Sequence, residues 1–335
     1  MSQLISLVIP AYNVGKRIEV TLMSIAAQEY KNIEIIVVDD ASSDDTCSVA
    51  EHTLARFGCN FKIIKHDTNM GVSAARNTGF DVASGCYVIF FDADDMADPD
   101  FVSALFEAVT KNDSDAAFCG YRLRFEDTGK EQAVPVALNP SLKYSAEELT
   151  VMYILGQIKL AHMAAIFKTS FLKTIELKFT VGSWFGEDAE FVKKAFSRCG
   201  SIGFSIGCHY IYIQHENMAS VSTKQNKDKS LLRNENNAEA ICRSARYLAE
   251  FAESPKVRRL AMDYVLAEGL MKSLNVMVRR RDKEQFLRLL NAPGTRWALL
   301  AVLKHVLKNS RLFVNAVALL VAPRLYFGIK LKLWG

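Results

Sequence analysis

A chain of 335 residues, half of them hydrophobic, can bury a sizeable core, which excludes intrinsic disorder and allows one large domain with an appendage or two domains. Seven cysteines with no paired close spacing fit a reducing compartment better than a disulfide framework or a zinc site, and read as mostly buried small apolar residues. The net charge of +4 is lopsided: the last acidic residue is Glu284 and residues 285–335 hold eight Lys and Arg, so 33 basic face 37 acidic residues before them, a body of about −4 with a tail of +8.

The first apolar run, in MSQLISLVIPAYN, follows no basic leader and ends at Pro10, so it reads as a strand and not as a secretion signal, which points to the cytoplasm. Strands are expected at 4–10, 33–39, 61–66 and 86–92, with helices at 16–28, 44–57 and 73–83 between them. This alternation is the signature of β-α-β units around a buried, mainly parallel sheet. The helix at 44–57 has a start signal in SSDDT, and the one at 73–83 opens on Ser73 after Gly71. In such a sheet ligands gather beyond the carboxyl ends of the strands. That rule brings Pro10, Ala11, Tyr12 and Asn13 to one edge with Asp39 and Asp40, with 67–71, and with the cluster Asp92, Asp94 and Asp95 in FFDADDM. Three carboxylates within four positions repel one another unless a cation sits between them, so the cluster is either a solvated turn or a seat for a metal and its ligand.

Beyond it, 98–111 reads as a helix with Pro99 at its start, 115–125 as a strand, 126–143 as a loop and 145–158 as a helix. The stretches 166–172, 181–196 and 207–215 complete the globular unit, and helices are expected at 230–252, 256–280 and 282–290. The tail mixes its eight cations with Leu, Val, Phe and Trp, which suits the anionic face of a membrane and not nucleic acid. Its longest apolar run, 312–322, is about half of the ~20 residues that a spanning helix needs. The tail therefore reads as a peripheral anchor, or else as a bundle that packs on the domain or mediates homo-oligomer formation.

Taken together, VIPAYNVGKRIEVTLMSIAAQEYKNIEIIVVDDASSDDT, NMGVSAARNTG, FFDADD and WFGEDAEF resemble, in order and spacing, the successive blocks of the family 2 inverting glycosyltransferases. The resemblance covers residues 4 to about 220 and implies an α/β GT-A fold, Rossmann-like, whose mainly parallel central sheet is flanked by helices, with a helical C-terminal extension. It implies a catalytic domain over 1–225, divided into a nucleotide-binding half at 1–97 and an acceptor half at 98–225, and a helical region over 226–335. It also implies a nucleotide-diphosphate sugar donor, usually a uridine one, a Mn²⁺ or Mg²⁺ ion, and a hydroxyl acceptor on a glycan or lipid-linked glycan, at the inner face of a bacterial cell membrane.

By the same resemblance Asp94 ligates the metal, Asp92 serves the ribose or the metal with Ala93 beside it, and Asp95 braces the loop. Pro10, Ala11, Tyr12 and Asn13 meet uracil and ribose, with Asp40 favoured over Asp39 as the acceptor for the uracil N3 proton. Arg76, on the helix after the Gly71 turn, meets phosphate or stabilises the metal loop, unless it pairs Asp39. Asp188 is the expected base and Glu187 its partner in acceptor binding, near a Trp184 platform; the alternative is a capping role at a helix start. His215 is a candidate for the metal or the diphosphate, and Ile213 stands where many relatives carry Arg. The rival readings are a catalytically silent nucleotide-sugar-binding or scaffold protein and a sugar nucleotidyltransferase; the latter would need a glycine-rich basic loop in place of Pro10 to Asn13.

Overall fold

The computed structural model describes residues 3–215, 227–292 and 294–301, with positions 315, 318, 319, 323 and 326. Two compact units divide the chain, one of Met1–Trp184 with Arg198–His215, the other of Phe185–Ser197 with Glu216–Gly335. The expected boundary at 225/226 falls outside the described residues.

In the first unit the β-branched runs become β1 (Ile5–Ala11), β2 (Ile33–Asp39), β3 (Phe61–Lys65) and β4 (Tyr87–Phe90), all parallel, in the order β3-β2-β1-β4. All seven residues of β1 and six of seven in β2 are buried, the pattern of strands covered on both faces. The crossovers are α1 (Gly15–Ala26), α2 (Thr46–Arg56) and α3 (Val72–Asp81). In α1 the stripe Ile18, Leu22 and Ile25 is buried at helical spacing, each side chain contributing roughly 1.5–3 kcal/mol.

Past β4 the sheet becomes mixed. Then come β5 (Met96–Ala97), α4 (Phe101–Thr110), β6 (Ala116–Phe125), β7 (Glu131–Val134), α5 (Ala146–Ile154), β8 (Ala165–Lys168), α6 (Thr169–Thr174) and β9 (Ile202–Gln214). Strand β8 runs antiparallel to β4 and β6, and β9 runs parallel to β6 and antiparallel to β5. The expected loop at 126–143 contains β7, a hairpin partner of Tyr121–Arg124 with three of four residues exposed, too short and too wet to leave an apolar period.

The second unit is helical: α7 (Glu187–Arg198) but for its last residue, α8 (Lys227–Phe251), α9 (Pro255–Leu260), a π-helical turn (Ala261–Val265), α10 (Leu266–Arg279), α11 (Lys283–Asn291) and α12 (Thr295–Ala301). The helix expected at 256–280 is thus interrupted by a wider turn. It starts where Ser254 Oγ accepts from the Lys256 and Val257 amides, with Pro255 in the first turn. Among the described residues no helix is long and apolar enough to cross a membrane. The run at 312–322 lies largely outside the described residues, as do Lys304, Lys308, Arg311, Arg324, Lys330 and Lys332 of the basic tail. The seven cysteines carry free thiols, but only Cys119 and Cys199 are buried, which corrects the expectation. Cys47, Cys208 and Cys242 lie on half-buried faces of α2, β9 and α8, Cys59 is half-buried just before β3, and Cys86 is exposed before β4.

Candidate active site

The turns after β1 and β2 are laced together at the carboxyl edge of the sheet. The Asp40 amide donates to Ala11 O at 2.8 Å, and the Asn13 amide donates to Ser42 Oγ at 3.0 Å. Asn13 Oδ1 accepts from the Ser43 amide at 2.9 Å and from Ser43 Oγ at 3.2 Å, which settles Asn13 in its left-handed backbone, φ 51°. Pro10 and Ala11 are buried, whereas Tyr12 is 49% exposed and so offers a ring face for stacking.

Asp39 and Asp40 are both buried but differ in their commitments. Asp40 Oδ1 accepts from the Met70 amide at 2.9 Å and lies 2.7 Å from His66 Nδ1, while Oδ2 accepts from the Gly71 amide at 2.7 Å. Both oxygens therefore hold the turn that ends in Gly71, whose φ of 88° favours glycine. Asp39 Oδ1 accepts the Ser42 amide at 3.0 Å, and Asp39 lines a cavity of about 530 Å³ with Ser42, Cys47, Lys65 and Asp67. A larger cavity of about 780 Å³, between α4, residues 140–144 and β9, is lined by none of the expected site residues.

At the end of β4 the three carboxylates take different roles. Asp95 is buried, with Tyr210 Oη donating to Oδ2 at 2.5 Å and the Ile213 amide to Oδ1 at 2.8 Å. Burial, with the neighbouring Asp94 and Asp92 charges, pushes its carboxyl well above the usual range. Asp92 and Asp94 each keep about a third of the side chain exposed, at 31%. Arg76 Nη2 donates to Asp92 Oδ1 at 2.8 Å, and its guanidinium lies 5.0 Å from the centre of the Phe179 ring. Arg76 thus pairs Asp92 and braces the carboxylate loop, in place of the alternative pairing with Asp39. Ala93 is buried and its carbonyl accepts from Thr21 Oγ1 at 3.0 Å.

His215 Nε2 lies 3.1 Å from Asp94 Oδ2, and His215 Nδ1 is buried with no hydrogen-bond partner among the described residues. Ile213 supplies its backbone N–H to Asp95. That bond fixes β9 against the carboxylate loop, and His215 follows two residues later.

Among the described residues no three His, Cys, Asp or Glu side chains gather to hold a metal by themselves. Asp94 and His215 instead form a partial donor set of two, and Asp92, also expected there, is held by Arg76. Such a set suits a hard divalent ion whose remaining positions are filled by phosphate oxygens and water, so the residues fit the expected ion.

Two α3 side chains hold the segment leading to the second carboxylate pair. Asn77 donates from Nδ2 to Phe179 O and accepts the Phe179 amide at Oδ1, both at 2.9 Å, and Ser73 Oγ donates to Ser183 O at 3.2 Å. Trp184 is 42% exposed, as a platform requires. Glu187 and Asp188 open α7, which belongs to the second unit; Glu187 is buried, and Asp188 Oδ1 accepts the Ala189 amide at 2.6 Å. Sequence reasoning missed His66, Thr21 and Tyr210, whose partners lie 26, 72 and 115 residues away, a separation that leaves no local pattern.

The glycosyl transferase family 2 model matches residues 6–174, half of the chain. The chain is 36% identical over 133 residues to the putative glycosyltransferase EpsH of Bacillus subtilis, covering 40% of this chain and 38% of that one. It is 40% identical over 94 residues to WfaP of Escherichia coli, described as a UDP-Glc:α-D-GlcNAc-diphosphoundecaprenol β-1,3-glucosyltransferase, covering 28% and 36%. The chain therefore spans less than half the length of either relative. Among solved structures, residues 1–349 of Staphylococcus aureus TarS with UDP-GlcNAc superpose with a TM-score of 0.66 at 21% identity, over 98% of this chain and 89% of that one, which shows the GT-A fold.

Proposed function

The chain belongs to glycosyl transferase family 2, and from that premise we propose an inverting, metal-dependent transfer of a sugar from a UDP-linked donor to a hydroxyl of a glycan or lipid-linked glycan acceptor, in bacterial surface-polysaccharide synthesis at the inner face of the membrane. The observation that carries the reading is the sorting of the FFDADD carboxylates: Asp95 inward against Tyr210, Asp92 on Arg76, Asp94 facing His215. A solvated turn would have no reason to spend a buried Arg, a buried Tyr and a buried His on three adjacent acids. The donors named for WfaP and for the TarS complex, both UDP-sugars, support the uridine assignment.

In this reading Tyr12 lies against the uracil ring. Because Asp40 is occupied by the turn at 66–71, the uracil N3 proton goes to Asp39, which lines the adjoining cavity. Asp94 and His215, with Asp92, would hold Mn²⁺ or Mg²⁺, which would supply positive charge to offset that of the departing diphosphate. For that task His215 Nε2 would have to present its lone pair, with the imidazole proton on Nδ1. Arg76 orients Asp92. Asp188 takes the proton of the acceptor hydroxyl as that oxygen attacks the anomeric carbon, Glu187 and Trp184 bind the acceptor, and one carboxylate base suffices for inversion.

The test is titration of UDP into the full chain by calorimetry, with Mn²⁺ and with EDTA. UDP is expected to bind at least ~10-fold more tightly with Mn²⁺, and Asp94→Ala to abolish that difference. Equal Mn²⁺ dependence in the Asp94→Ala protein would refute the metal assignment.

A further inference from the structure

The turn and helix that carry the proposed base are clamped along one face of α8. Arg233 lies over the Phe185 ring, 4.0 Å from its centre. Gly186, at φ 81°, approaches so closely that a Cβ there would meet Asn237 Oδ1 at 3.3 Å and Ala240 Cβ at 3.4 Å. Glu190, 2% exposed, receives Arg243 in a fork: Nε at 3.2 Å from Oε1 and 3.0 Å from Oε2, and Nη2 at 2.8 Å from Oε2. Lys194 Nζ donates to Glu190 Oε1 at 2.6 Å and lies 5.3 Å from the centre of the Tyr247 ring. Residues 233, 237, 240, 243 and 247 recur at three or four positions, so a single stripe of α8 makes all these contacts.

Helical geometry converts that clamp into an orientation. At about 100° per residue, Glu187 and Glu190 share a side of α7, whereas Asp188 lies roughly 200° from Glu190. Holding Glu190 and the buried Glu187 inward therefore turns Asp188 off the α8 face. Through Glu190, Arg243 fixes the rotation and depth of the helix that carries Asp188. A bidentate guanidinium on a buried carboxylate is suited to this, because it fixes the angle as well as the distance. We infer that Arg243, through Glu190, is a positioning residue for the base Asp188, and that the helical region is a working part of the transferase and not only an appendage. This rests on the assignment of Asp188 under the proposed function.

The experiment uses the full chain with Mn²⁺ and whichever of UDP-glucose, UDP-galactose and UDP-N-acetylglucosamine it turns over, reading UDP release with water as acceptor. Hydrogen exchange over residues 185–192 is measured in parallel. Arg243→Met is expected to lower kcat ~10- to 100-fold, since about 1 Å of misplacement costs roughly 10²-fold. The KM for donor should stay within about twofold, and exchange over 185–192 should rise. Arg243→Lys keeps the charge without the fork and should recover part of both. Unaltered exchange over 185–192 in Arg243→Met, or a loss in KM with kcat intact, overturns the inference. If Asp188→Asn retains full UDP release, the base assignment has failed; if Asp188→Asn is inactive while Arg243→Met turns over at the wild-type rate, the clamp alone has failed. Where none of the three donors is turned over, the exchange result decides.

Discussion

Glu34 allows the sheet's stability to be separated from the chemistry at its far edge. It lies near the start of β2, 3% exposed, and accepts from Ser6 Oγ at 2.5 Å, the Ser84 amide and hydroxyl at 2.7 Å, the Gly85 amide at 3.1 Å and Lys62 Nζ at 3.2 Å. Burial alone would raise the carboxyl, but the bonds from Ser6, Ser84 and Lys62 outweigh it and lower the pKa from 4.5 to about 2. That gap, at ~1.4 kcal/mol per pH unit, amounts to ~3 kcal/mol; Lys62 is half exposed and screened by solvent, so ~2–3 kcal/mol is expected. Because the folded pKa is depressed, this stability is fully present above pH 4.5 and is lost as the pH falls towards 2, with more than half gone by about pH 3.

Glu34→Gln should therefore cost ~2–3 kcal/mol in urea unfolding at pH 7, and its deficit relative to wild type should shrink by more than half at pH 3. Asp39 is five residues along the same strand, roughly 17 Å away at ~3.3 Å per residue, so UDP affinity of the folded variant should be unchanged. A deficit of equal size at both pH values would refute the reasoning, because it would assign the cost to shape and not to charge.

Removing the imidazole with His215→Ala should weaken Mn²⁺-dependent UDP binding ~10-fold while leaving binding in EDTA unaltered, as calorimetry would show. Asp188→Asn should reduce transfer at least ~10²-fold with a donor KM within about twofold, measured as UDP release in steady state. Tyr210→Phe takes a donor from the buried Asp95 and should lower stability by ~1–3 kcal/mol in urea unfolding, with a smaller effect on UDP affinity.

Much of the first unit was legible because its signals are local. Each of β1 to β4 is a run rich in β-branched or aromatic residues and two of the three crossovers have a start signal, so their order alone places Asp39, Asp40 and the FFDADD carboxylates on one edge. Elements held by distant partners left no such trace. Strand β5 is two residues long and exists because β9, more than a hundred positions later, pairs with it. Asp39 and Asp40 are adjacent and chemically identical; the Met70 and Gly71 amides and the His66 ring on Asp40, against the Ser42 amide on Asp39, distinguish them, and the first three depend on how the 66–71 turn folds back.

The same reasoning explains why the motif reads as a charge cluster in the sequence and as three separate devices in the fold. A run of acids is unfavourable if all three remain ionised in one apolar setting. The chain avoids this by giving each acid a different cover: Tyr210 and a backbone amide for Asp95, a guanidinium for Asp92, an imidazole for Asp94. Only the last of these partners can exchange a hydrogen bond for a coordinate bond. Arg76 cannot lose its proton at accessible pH and the Tyr210 hydroxyl is committed to a buried acceptor, so a divalent ion approaching the cluster finds its adaptable partner at Asp94. On the proposed reading, His215, 121 residues downstream, would single out Asp94 as the carboxylate whose partner can turn to a metal.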